Sequence, residues 1–125
     1  MRWSLYESFR RSVHDAVADG DDRPGKLLRA YVRVSMADAR DAAGLRDSVA
    51  LAAHVMGEPA LQHIADADAR RWREELADDG LPPRVVRLVV AASDGVSVAP
   101  LWGTSLAHED IHALEEELLE LTRLP

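Results

Sequence analysis

The feature that most constrains the fold is a C-terminal segment whose apolar residues cover almost the whole circumference of a helix. They fall into two stripes at three- and four-residue spacing, Val85, Val89, Ala92, Val96 and Ala99 in one, and Val86, Val90, Ser93 and Ser97 in the other. A helix that is apolar nearly all round is buried on more than one side. The rest of a 125-residue chain can cover one side. We expect a second copy to cover the other, the alternative being a central helix in a monomeric bundle.

Glycine and proline divide the other residues into five more segments with helical spacing, and almost no strand-like alternation is left. Helices are predicted over about 2–18, 24–41, 45–56 and 108–123, and from Pro59 to Gly80. The apolar helix is predicted to begin near Pro82, to bend at Pro100 and to end at Gly103. The predicted fold class is all-α, with roughly six helices in a single domain over residues 1–125.

The composition argues against several classes of function. A formal net charge of −7 repels a nucleic-acid backbone. With no cysteine, the chain has neither disulfides nor thiolate metal sites. No apolar run is long enough to span a membrane, and the N-terminus lacks the apolar core of a signal peptide. We therefore expect a cytoplasmic protein that contacts neither nucleic acid nor membrane and binds no cofactor.

One short motif resembles a zinc site. In the sequence His108-Glu109-Asp110-Ile111-His112, two histidines one helical turn apart could share a zinc ion, with Glu109 as the general base. A catalytic zinc needs a third protein ligand, and no histidine follows His112. Negative charge also suits the first turn of a helix. We interpret the motif as a helix start, with no metal ligand and no catalytic residue, and keep a metal-dependent hydrolase as an alternative.

Three stretches resemble the C-terminal domains of tetracycline-repressor (TetR) family regulators. These are DDRPGKLLRAYVRVSMAD, RRWREELADDGLPP and PPRVVRLVVAASDGVSVAPLWG, the last similar to the penultimate helix of those domains. The resemblance implies an orthogonal bundle whose last two helices pair with a second copy in a four-helix interface. It also implies a pocket for a small, often hydrophobic effector among the earlier helices. The N-terminal helix-turn-helix head of the family is missing from this sequence. We therefore expect that these residues do not contact DNA themselves and that DNA is bound only through such a head.

The resemblance also assigns candidate roles to individual residues. Polar or aromatic side chains on apolar faces are candidate effector contacts, with core packing as the alternative for each: Tyr6, Phe9, Tyr31, Met36, His54, His63 and Trp72. Candidate dimer contacts are Val89, Ser93, Val96, Trp102, Ile111, Leu114 and Leu118. The predicted function is the effector-binding and homodimerisation domain of a bacterial TetR-like regulator. A ligand-free helical dimerisation or adaptor module is the alternative.

Overall fold

The computed structural model describes residues 3–99 and 106–123. Within these residues the chain forms six helices and no strand, which confirms the predicted all-α class. The helices are α1 (Trp3–Asp15), α2 (Lys26–Arg40), α3 (Ala42–Met56), α4 (Pro59–Ala77), α5 (Pro83–Val98) and α6 (His108–Leu121).

Two helix starts differ from the sequence prediction. Pro24 was expected just inside the second helix, but α2 begins at Lys26. The reason is Gly25, whose φ of +90 lies in the left-handed region that helix interiors exclude. In the other case α3 begins at Ala42, a few residues before the predicted position. The predicted bend at Pro100 and the stop at Gly103 lie outside the described residues.

The centre of the bundle is α2, which contacts α1, α3, α5 and α6. More than half of its residues are buried: Leu28, Arg29, Ala30, Tyr31, Val32, Ser35, Met36 and Ala39. Within its own chain α5 buries only Val89, Ser93 and Val96 among its described residues, although the sequence pattern predicts burial on more than one side once a second copy is present. Burying one large aliphatic side chain contributes about 1.5–3 kcal/mol, so α2 supplies the largest share of the core.

The loop between α4 and α5 caps the N-terminus of α2. The carboxylate of Asp79 accepts hydrogen bonds from the backbone N–H groups of Leu27 (3.2 Å) and Leu28 (2.9 Å). The N–H of Gly25 donates to the backbone oxygen of Asp79 at 2.8 Å. A carboxylate at this position satisfies otherwise unpaired N–H groups and complements the helix dipole. The loop thereby holds α2 in register with α4 and α5.

Arg29 anchors a second polar network at the same end of α2. It is 1% exposed, and its guanidinium donates to both carboxylate oxygens of Asp21, at 2.8 and 2.9 Å. Further hydrogen bonds reach the backbone oxygens of Pro24 (2.9 Å), Arg23 (3.3 Å) and Thr122 (3.4 Å). The network therefore ties the loop after α1 and the end of α6 to the central helix.

Candidate functional site

A cavity of about 560 Å³ opens between α1, α2, α4 and α5. Small-molecule sites in proteins typically occupy about 300–1,000 Å³, so the space suits a ligand of moderate size. Two alanines of α4, Ala65 and Ala69, border the cavity, and α5 adds Val86 and Val90. The short side chains on α4 leave the space open between the helices.

Three aromatic side chains from three different helices form the inner wall. The ring centroids of Phe9, Tyr31 and Trp72 lie 5.5 Å (Phe9–Tyr31), 5.1 Å (Tyr31–Trp72) and 5.9 Å (Phe9–Trp72) apart, all edge to face. Such pairs contribute about 0.5–1.5 kcal/mol beyond their buried area. Tyr31 and Trp72 are buried. The wall is therefore part of the core and is formed before any ligand binds.

Arg10 of α1 supports the wall from behind. Its guanidinium carbon lies 4.2 Å from the centroid of the Trp72 ring. The same group pairs with Asp68 at 2.9 Å and with Glu75, both on α4. Arg10 is buried, so these charges interact with little screening from solvent. Together the contacts hold α1 against α4 at the edge of the cavity.

Asp94 of α5 is an acidic side chain that lines the cavity. The hydroxyl of Tyr31 donates to one of its carboxylate oxygens at 2.5 Å. In the described part of the chain, no arginine, lysine or histidine forms an ion pair with Asp94. Burial raises the pKa of Asp94, and the hydrogen bond from Tyr31 only partly offsets that effect. The residue as a whole is nevertheless exposed, so solvent reaches its carboxylate and limits the cost of its charge.

The cavity carries three further charged side chains. Asp68 lines it but is already paired with Arg10. Arg73 and Arg87 also line it and are exposed. Burial, followed by the charge of Asp68, raises the pKa of the Tyr6 hydroxyl. Besides its aromatic wall, the cavity is therefore lined by two acidic and two basic side chains.

The cavity brings together some of the candidate effector contacts. Tyr6, Phe9, Tyr31 and Trp72 all line it. Met36 is instead fully buried in the core, where it packs with the apolar side chains around α2. His54 and His63 are exposed on α3 and α4, and neither lines the cavity.

Sequence reasoning missed Asp94 and Asp68 as cavity residues. In the sequence, Asp94 stands beside Gly95 within the apolar helix. Its partner Tyr31 lies 63 residues away in sequence. An acidic residue within a nearly continuous apolar segment was the available signal, because an unpaired charge is costly to bury.

The predicted dimer contacts lie mostly inside the chain's own core. Val89, Ser93, Val96, Ile111 and Leu118 are at most 8% exposed, and Leu114 is half-buried against the same core. Trp102 lies outside the described residues. The five buried side chains have almost no surface left to offer a second copy, because they pack against other helices of their own chain. The surface that α5 leaves uncovered is on its other side, around Leu88 and Gly95.

The zinc-like motif forms the first turns of α6. His108 and His112 are both exposed there. Among residues 3–99 and 106–123, no group of three or more histidine, aspartate or glutamate side chains is arranged to hold a metal ion. In the same residues, no helix is both long enough and apolar enough to cross a membrane.

One protein-family model matches residues 25–123, and its description is tetracyclin repressor-like, C-terminal domain. The match begins at Gly25 and runs through α2 to α6, so it includes the helices that supply most of the cavity. No curated protein and no solved structure matches the sequence.

Proposed function

Because the chain belongs to the family of tetracycline-repressor-like C-terminal domains, we propose that it is the effector-binding and homodimerisation part of a transcriptional regulator. The observation that carries the proposal is the cavity of about 560 Å³ with its wall of Phe9, Tyr31 and Trp72. A preformed apolar space with a few polar groups is typical of small-molecule sites. We expect the regulator to act in the bacterial cytoplasm and to reach DNA through a helix-turn-helix head.

The proposed mechanism couples the effector to the position of α1. Tyr6 and Phe9 of α1 line the cavity, and Arg10 fastens α1 to α4. In this family the DNA-binding head precedes the effector domain in sequence, so such a head would connect to the bundle through α1. A ligand in the cavity would contact α1, α4 and α5 at once. The ligand would shift the regulator toward whichever arrangement of the helices has the higher affinity for the ligand. The size of the shift is limited by the difference in ligand affinity between the two arrangements.

The same cavity favours effector binding over the ligand-free adaptor. A module that only dimerises is expected to fill its interior with small side chains. Here the alanines of α4 at positions 65 and 69 border open space instead. Empty volume inside a small domain lowers its stability, which is reasonable where a ligand will occupy the space.

A pair of tryptophan substitutions on α4 tests effector binding. A library of apolar small molecules is first screened by thermal shift, because a ligand specific for the folded state raises stability. Ala69→Trp fills the cavity and should weaken each ligand found by about tenfold or more, about 1.4 kcal/mol. The control, Ala67→Trp, lies two residues away on the same helix, is exposed and does not line the cavity. A library in which nothing stabilises the unaltered protein would overturn the proposal.

We place the dimer contact on the outward side of α5. Leu88 is 57% exposed, and no atom lies within 4 Å of where a Cβ of Gly95 would stand. A second copy could therefore approach the α5 backbone closely. The exposed side of α6 is less suitable because it carries Glu116, Glu117 and Glu120, and like charges would meet across a two-fold axis.

Sedimentation at several protein concentrations tests the dimer. Leu88→Glu should convert a dimer to a monomer, because it puts a charge into the apolar contact. Met56→Glu is the control, since Met56 is a 74% exposed side chain on α3. A dimer that survives Leu88→Glu, or an unaltered protein that is monomeric throughout, would exclude this contact.

A further inference from the structure

Asp94 is an exposed acidic residue that lines a cavity whose surface is otherwise largely apolar and aromatic. One of its carboxylate oxygens accepts the Tyr31 hydroxyl at 2.5 Å. Within the described residues, the other oxygen has no hydrogen-bond donor and no cation. A carboxylate with one free oxygen beside a ligand-sized space is arranged to accept a donor from the ligand itself.

We infer that the effector is a cationic amphiphile, an apolar or aromatic body bearing a protonated amine that pairs with Asp94, an inference that rests on the proposed function. The aromatic wall would hold the body of this ligand, and the free carboxylate oxygen would accept an N–H of the amine. Hydrogen bonds between ionised partners are about twice as strong as neutral ones. The ligand would thereby provide Asp94 with the cationic partner that the described residues do not provide.

The second acidic residue in the cavity does not compete for this role. Asp68 lies 2.9 Å from Arg10, and the same arginine also pairs with Glu75. Glu75 also lies 4.0 Å from Arg71, so arginines pair with both carboxylates of this cluster. Within the described residues, Asp94 is therefore the acidic residue of the cavity that has no ion pair.

The two arginines that line the cavity do not favour an anionic effector over a cationic one. Arg73 and Arg87 are exposed, so their guanidinium groups remain hydrated without a ligand. Arg87 lies seven residues before Asp94 on α5, so their Cα atoms are about 10 Å apart along the helix axis. Within the described residues, neither arginine forms an ion pair with Asp94. The carboxylate of Asp94 is therefore available to an amine.

The aromatic residues strengthen the same preference. The π-faces of tyrosine and phenylalanine attract cations, and Tyr6, Phe9 and Tyr31 all border the cavity. The wall already accommodates one cation, because the guanidinium of Arg10 lies over Trp72 at 4.2 Å. An amine entering from the cavity side would meet the same kind of surface together with a free carboxylate oxygen.

Three compounds with one biphenyl body test the inference: 4-phenylbenzylamine, 4-phenylbenzyl alcohol and 4-phenylbenzoate. Calorimetric titration of the unaltered protein should give the amine about tenfold higher affinity than the alcohol, and the benzoate the lowest affinity. Asp94→Asn should reduce the amine preference to about twofold or less while leaving the affinity for the alcohol unchanged. Asparagine still offers an oxygen to Tyr31, so this variant is expected to fold.

Two further measurements test whether charge sets the preference. Arg87→Gln removes a charge of the opposite sign from the same lining, and the amine preference should persist. In the unaltered protein, raising the salt concentration to about 1 M should lower the ratio of amine to alcohol affinity, because salt screens an ion pair. The salt measurement needs no variant, so an amine preference that does not change with salt would contradict the inference even if Asp94→Asn fails to fold.

The other outcomes overturn the inference in distinguishable ways. Equal affinities for amine and alcohol, or an amine preference that survives Asp94→Asn, would show that Asp94 does not select the ligand. A benzoate that binds most tightly and weakens in Arg87→Gln would assign the cavity to an anionic effector. If none of the three binds while other library members stabilise the protein, the ligand class is wrong and the proposed function stands. If nothing stabilises it, the proposed function fails as well.

Discussion

The central helix α2 carries two buried polar side chains two residues apart, and each meets an aspartate from elsewhere in the chain. Arg29 meets Asp21 within a network that also includes three backbone oxygens. Tyr31 meets Asp94, which has no other described partner. In the Arg29–Asp21 contact, called the closed contact below, opposite charges pair with each other. The Tyr31–Asp94 contact, called the open contact below, faces a cavity.

The pKa values of the two aspartates move in opposite directions. Desolvation works to raise the pKa of Asp21, but hydrogen bonds from Arg29 and from the backbone N–H of Arg23 lower it overall. Burial raises the pKa of Asp94 despite the bond from Tyr31. The folded state therefore favours the charge on Asp21 and disfavours the charge on Asp94. The difference indicates that the first contact stabilises the fold, while the second retains an unfavourable charge that a ligand can use.

The largest expected effect comes from opening the closed contact. Arg29→Met should lower the free energy of unfolding by about 3 kcal/mol, because removing one partner of a buried ion pair leaves the other uncompensated. Urea denaturation gives the value. Arg70→Met is the control, an exposed arginine on α4, and it should change stability by about 0.5 kcal/mol or less. Equal losses in both variants would contradict the structural role of the network.

A smaller loss is expected when the open contact loses its hydrogen bond. Tyr31→Phe should lower the free energy of unfolding by about 1 kcal/mol, because water in the cavity can hydrate the carboxylate of Asp94 in place of the hydroxyl. Tyr6→Phe is the matched control, since the Tyr6 hydroxyl has no hydrogen-bond partner within the described residues. It should leave the urea midpoint unchanged. A loss in Tyr31→Phe as large as that of Arg29→Met would remove the distinction between the contacts.

The smallest expected effect is on the pH dependence of stability. The contribution of Asp21 to the free energy of unfolding should change with pH in the opposite direction to that of Asp94. The lowered pKa of Asp21 means that its stabilisation is present above its ordinary value of 3.8 and is lost as the pH falls through the lower folded value. The raised pKa of Asp94 means that its charge costs stability at neutral pH, and the cost disappears as the pH falls toward 3.8.

Urea midpoints measured from pH 7 to pH 3 in Asp21→Asn and Asp94→Asn check this difference. Asp94→Asn should be slightly more stable than the unaltered protein at pH 7, with the gain shrinking in acid. Asp21→Asn should be less stable at pH 7, with the deficit shrinking below pH 4. The pKa of Asp38 is also raised, by burial and then by Asp41, but Asp38 is present in every protein compared. Parallel pH curves for both variants would refute the assignment.

The sequence was sufficient to predict the helices because their signals are local. Proline at the start of α4 and near the start of α5 preset the backbone for helix, and the apolar spacing defined the segments between them. Four aromatic residues that line the cavity were also identified, since aromatic side chains on apolar faces are visible in a one-dimensional pattern. The left-handed Gly25, by contrast, determines the start of α2 through a backbone angle that the residue type permits but does not require.

The sequence could not show which side of α5 faces inward. The buried side combines Val89 and Val96 of one stripe with Ser93 of the other. Which side this is depends on the packing of α5 against α2. The role of Asp94 could not be predicted for the same reason, because it depends on a tyrosine 63 residues away and on the lack of an ion pair within the described residues. Pairings over such distances follow from helix packing, which local periodicity does not specify.

The most direct measurement compares Asp21→Asn and Asp94→Asn in two assays, urea denaturation and calorimetric titration with 4-phenylbenzylamine. We predict that Asp21→Asn loses stability and retains the affinity of the unaltered protein for the amine. Asp94→Asn should retain or slightly gain stability and lose about tenfold in affinity. If Asp94→Asn instead loses stability and retains its affinity for the amine, Asp94 is a structural residue, and the account of the cavity as a site for a cationic effector is wrong.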